Sequence, residues 1–108
     1  FDTADNGTGD NTVKITNYKK DTGKCSANVF IPERNKYGNE ITEISAEAFK
    51  NKSLESVTIK QNIKVIDCNA FVGNNNVLFI IKGNMPAVTG TCTIDTRWGA
   101  SNSLVRQD

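Results

Sequence analysis

The feature that most constrains this chain of 108 residues is that it repeats itself. Laying residues 41–62 over 63–84 puts Ile41 on Ile63, Ile44 on Ile66, Ala48 on Ala70, Phe49 on Phe71, Ile59 on Ile81, Lys60 on Lys82 and Asn62 on Asn84. At average residue usage, chance supplies about one or two such identities over a window of this size. A period of 22 residues, carried mainly by apolar positions, describes a unit that cannot bury its own edge and must stack on a neighbour. Leu54 falls on Asn76, so Val77 is its expected counterpart, with one extra residue taken up in the asparagine run.

Within each unit the pattern changes period. Ser56-Val57-Thr58-Ile59-Lys60 alternates, which predicts a short half-buried strand with Val57 and Ile59 on one side. Ala46–Lys50 after Ser45, and Asp67-Cys68-Asn69-Ala70-Phe71 with Asp67 as cap, have the residues of a helical turn. Ile41, Ile44, Ile63 and Ile66 are expected to point inward as the chain crosses from one side to the other. The expected core is Val29, Ile31, Ile41, Ile44, Phe49, Leu54, Val57, Ile59, Ile63, Ile66, Phe71, Phe79 and Ile81.

The flanks read as partial units. Val29 and Ile31 are spaced like Val57 and Ile59 and mark a first strand, followed by an irregular connection over Glu33–Glu40. Val13–Tyr18 also alternates, and the turn residues Asp21 and Gly23 suggest that it pairs with the 27–31 segment as an N-terminal β-hairpin cap. Residues 1–12 are rich in Gly, Asn, Asp and Thr and are expected to be loose, leaving a repeat domain over 13–90. Thr91–Thr96 reads as a last strand, so 91–108 is expected to form a capping strand and tail. The first residue, Phe1, suggests a processed or truncated piece.

The array Ile41-x-x-Ile44-x-x-x-Ala48-Phe49, then Leu54-x-x-Val57-x-Ile59, repeated at Ile63, Ile66, Ala70 and Phe71, resembles the BspA-type leucine-rich repeat. The opening over 13–32 and the close at Lys82-Gly83-Asn84-Met85-Pro86 are similar to the family's array ends, so the resemblance covers roughly residues 12–88. Three features depart from it: Lys52 and Asn74 stand near the family's cysteine position, Lys60 and Lys82 stand where it has prolines, and only two full units are present. The resemblance implies an α/β-type leucine-rich repeat solenoid, minimal in size, with short strands on one side and helical turns on the other. It also implies a bacterial cell-surface or secreted protein that works as an adhesin-like, non-catalytic module. Its ligand would be a protein, a glycan or a neighbouring domain of a larger surface protein. The alternatives are a structural cap or spacer in a fibre or pilus and, less favoured, a small hydrolase built without His.

Composition bears on those choices. The chain has no His, so imidazole-dependent nucleophilic triads, common zinc sites and most general acid–base schemes lack their usual group. No catalytic residue, metal ligand or cofactor is assigned. Thirteen Lys and Arg balance twelve Asp and Glu, which gives no reason to expect nucleic acid, and no apolar run reaches the ~18–20 residues of a membrane span. Asp95, Arg97, Arg106 and Asp108 read as solvated charges. Asn6-Gly7-Thr8 and Asn51-Lys52-Ser53 match the glycosylation sequon, a common pattern in an asparagine-rich chain.

If Val29, Val57 and Phe79 point in, then Phe30, Thr58 and Ile80 form an outward row beside Asn28, Ser56 and Leu78. The candidate binding face is therefore Phe30, Leu78, Ile80, Thr58, Lys60 and Lys82, open to a partner or covered by the Thr91–Trp98 segment. Of the three cysteines, 25, 68 and 92, stacking order favours a Cys68–Cys92 bridge over Cys25–Cys92, with a buried Cys68 thiol as the other reading.

Overall fold

In the computed structural model, residues 2–5, 9, 11–18, 28–90 and 101–107 are described, with 75, 76 and 101–107 described as backbone only. They form nine strands, β1 (Asp2–Asp5), β2 (Val13–Asn17), β3 (Asn28–Phe30), β4 (Ile41–Ile44), β5 (Ser56–Ile59), β6 (Val65–Asp67), β7 (Asn75–Lys82), β8 (Ala87–Thr89) and β9 (Ser101–Gln107). From β2 to β8 the strands alternate between two sheets. The first has the order β1-β2-β4-β6-β8 and the second β3-β5-β7-β9, and every pairing except the antiparallel β1–β2 is parallel.

The repeat sets the register. Glu43 with Val65, Ser56 with Leu78, and Val65 with Ala87 are partners 22 residues apart. Val13 with Ile41, and Asn28 with Ser56, are instead 28 apart, so the first unit carries six more residues. The two spans overlap between Asn28 and Ile41, which places the insertion in the irregular 33–40 connection.

The expected leucine-rich repeat solenoid is corrected by these elements. Among the described residues there is no helix, the segments expected only to cross between strand and helical turn form the β1-β2-β4-β6-β8 sheet, and the molecule measures 35 × 31 × 29 Å, not drawn out along a stacking axis. The Ile-x-x-Ile segments are strands. Their spacing of three works because a bulge sets Thr42 and Glu43 against Lys14, so that Ile41 and Ile44 both turn inward, paired with Val13 and Ile15. The 46–51 segment stays a turn: Ala48 N–H bonds Ser45 O and Lys50 N–H bonds Glu47 O, three residues back, while Glu47 sits at φ 60°. Its remaining donors reach the next layer, Glu47 N–H to Asn69 O, Phe49 N–H to Ala70 O and Asn51 N–H to Val72 O.

The N-terminus is also corrected. β2 and β3 lie in different sheets, so there is no 13–31 hairpin; the antiparallel pair is β1 with β2, in a segment expected to be loose. The last strand is 101–107, and the expected strand at 91–96 falls outside the described residues.

Every residue of the expected core is buried, together with Val13, Ile15, Tyr18, Val77, Ala48 and Ala70. Aromatic rings run through the layers: Tyr18 stacks on Phe49 at 5.2 Å, Phe49 on Phe71 at 4.8 Å, and Phe71 meets Phe79 edge-on at 4.9 Å. Asn74, 1% exposed, ties the turns: its Nδ2 donates to Phe49 O and Phe71 O, and its Oδ1 accepts from Lys52 N and Leu54 N.

Candidate functional site

The second sheet presents the rows that alternation demands. Val29, Val57 and Phe79 are register partners and all are buried, and β9 adds Leu104 to that row. The neighbouring row is Phe30, Thr58, Ile80 and Val105, and the next is Asn28, Ser56, Leu78 and Ser103. The structure therefore brings Phe30, Thr58, Leu78 and Ile80 onto one part of the sheet.

Their exposure is unequal. Phe30 is 69% exposed, Leu78 and Ile80 are half-buried, and Thr58 is only 4% exposed. Thr58 thus stands on the face without being available at its surface. Ser56 Oγ donates to Asn28 Oδ1 at 2.6 Å and fixes the polar row beside it. Lys60 lies 3.8 Å from Glu33, which draws it toward the inserted connection, whereas Lys82 at the end of β7 is exposed. Pairing of β9 along β7 extends the sheet sideways. The Thr91–Trp98 segment, the expected cover for this face, lies outside the described residues.

Cys68 is 1% exposed and disulfide-bonded, which removes the reading of a buried free thiol. Cys25 and Cys92 both lie outside the described residues. Among the described residues no group of three or more His, Cys, Asp or Glu could hold a metal ion, and no helix is long and apolar enough to cross a membrane.

Sequence reading did not find the inserted hairpin at 33–40 as a site. Arg34 and Glu40 form an antiparallel bridge, Asn35 Oδ1 accepts from the N–H groups of Tyr37 and Asn39, and Tyr37 projects with 77% of its surface exposed. The available signal was the departure from the 22-residue period, combined with turn-forming Asn35, Gly38 and Asn39 around an aromatic residue.

The chain matches no protein-family model, no curated protein and no solved structure. The resemblance to BspA-type repeats therefore rests on the pattern of residues 12–88 alone.

Proposed function

We propose that the chain is a non-catalytic binding module of a bacterial surface or secreted protein, and that it engages a protein partner through the outer face of the second sheet. The observation that carries this reading is Phe30: a large ring 69% exposed, on a strand fixed by pairing with β5, with half-buried Ile80 in its row and Leu78 in the next, one strand further on across β5. Full burial of such a side chain is worth about 1.5–3 kcal/mol, so an apolar partner surface gains by covering it. Parallel pairing at fixed register keeps the row in place, which limits the ordering cost of binding.

The test is the Phe30→Ser, Ile80→Ser double variant, compared with the parent chain for thermal stability and for binding to a panel of immobilised extracellular-matrix proteins. An interface predicts a melting temperature within a few degrees of the parent and loss of captured partner. A large drop in melting temperature with no partner bound by the parent would instead assign these side chains to structure. That outcome favours the second reading, a cap or spacer within a surface assembly, which draws support from the wholly exposed edge strand β8.

A further inference from the structure

The six residues added to the first unit build a braced hairpin. Asn35 N–H donates to Asn39 O, Gly38 N–H to Asn35 O, Ile41 N–H to Glu33 O, and Arg34 Nη1 to Gly38 O at 2.8 Å. Two side chains anchor it to the N-terminal region: Asn35 Nδ2 donates to Thr3 Oγ1 at 3.2 Å and Asn39 Nδ2 to Asn11 O at 3.0 Å. Gly38, at φ 86°, allows the tight reversal. None of this is needed by the repeat, since the second unit closes without it. All of it holds Tyr37 out of the core.

Beside Tyr37 lies a groove of about 570 Å³, within the size range of small-molecule sites. It is lined by Asp2 and Thr3 of β1 and by Arg34, Asn35, Lys36 and Tyr37 of the hairpin. Lys36 Nζ stands over the Tyr37 ring, 5.2 Å from its centroid. The groove thus combines an exposed aromatic face, two cations, one carboxylate and hydroxyl and amide groups.

The geometry points to an acidic saccharide as the ligand of this groove. A pyranose presents a C–H face that packs on the electron-rich face of an aromatic ring, and hydroxyls that need both donors and acceptors at its rim. Beyond the bond they make to each other, the Thr3 hydroxyl keeps its hydrogen and one acceptor site, and Asn35 keeps its second Nδ2 hydrogen, at the edge. A sugar carboxylate is the group that the Arg34 guanidinium receives best, because one donor is spent on Gly38 O and the fork keeps others, with Lys36 adding charge alongside. An acidic peptide would satisfy the cations but leave the ring without a matching flat face. Bracing the hairpin in advance lowers the ordering cost of binding.

The site is separate from the outer face of the second sheet, so the two readings fail independently. Binding of the full chain to tetragalacturonic acid is measured by calorimetry and by amide shift perturbation, with a neutral galactose tetramer and a tetraglutamate peptide as comparators. The acidic sugar is expected to bind, shifting the amides of 34–38, and to bind at least about tenfold more tightly than either comparator. Tyr37→Ala should cut its affinity about tenfold, and Lys36→Gln about threefold, with unchanged melting temperatures because both side chains are exposed. Phe30→Ser should leave sugar binding as it was. The proposal is overturned if the parent chain does not bind the acidic sugar, if the neutral sugar or the peptide binds as well, or if Tyr37→Ala binds unchanged.

Discussion

Asn74 does at residue scale what apolar patterning cannot. It is buried among Phe49, Phe71 and Leu54 and satisfies two carbonyls and two N–H groups, two of these bonds within 2.8 Å. Removing it strands groups from two successive turns. Asn74→Ala is expected to cost about 2–4 kcal/mol, read as a lower urea midpoint at unchanged slope. Asn62 provides the comparison: its Nδ2 holds Ile41 O at 2.7 Å and Pro32 O at 3.3 Å, but its Oδ1 is buried without a partner, so Asn62→Ala should cost less. Equal losses would place the stabilisation in volume and not in the hydrogen bonds. The apolar core was legible from sequence because alternation and the repeat both point at the same residues. Buried Asn74, Asn62 and Thr58 were not, because Asn and Thr read as turn or surface residues until a tertiary partner is known.

At the scale of elements, the period was legible and the first sheet was not. Ile41 and Ile44 are three apart, which breaks the two-residue period of a strand, and only the bulge opposite Lys14 reconciles that spacing with pairing. Short runs such as Ala46–Lys50 have acceptable helix propensity, yet the N–H groups of Ala48 and Lys50 bond three residues back and those of Glu47 and Phe49 bond the next layer, not four residues back. The same layering bears on the disulfide. Cys68 N–H donates to Thr89 O at 2.8 Å, and Asp67 is the register partner of Thr89, so the chain three residues before Cys92 already lies against Cys68. Cys25 instead lies in sequence between Asn17 and Asn28, the ends of β2 and β3, while the β4 layer separates β2 from β6. Neighbouring strands are about 4.8 Å apart, so two steps exceed the ~7 Å Cα limit of a bridge. Non-reducing peptide mapping is expected to recover Cys68 joined to Cys92, with Cys25 alkylated by iodoacetamide after unfolding. A Cys25–Cys68 peptide would mean that the 19–27 connection reaches across a layer.

Across the whole molecule, the layers are coupled on three sides: by the first sheet, by the second, and by the turn-to-turn bonds from Glu47, Phe49 and Asn51. The aromatic contacts from Tyr18 through Phe49 and Phe71 to Phe79 cross the same boundaries. A layer cannot leave without exposing its neighbour's ring and stranding its neighbour's carbonyls, so the region from β4 to β7 should open as one unit. β8 differs: it pairs only with β6 among the described strands, all three of its residues are exposed, and Val88 is 59% exposed although its register partner Ile66 is fully buried. The apolar row of the first sheet therefore runs out into solvent at this end. Native-state hydrogen exchange is expected to show amides of β4 and β5 exchanging with the free energy of global unfolding measured in urea. Ala87, whose N–H bonds Lys64 O at 2.8 Å, should exchange on the order of a hundredfold faster through local opening of the edge. Equal protection of β8 and β5 would show that this edge is held as firmly as the core, and separate opening of β4 and β5 would show that the turn bonds do not couple the layers.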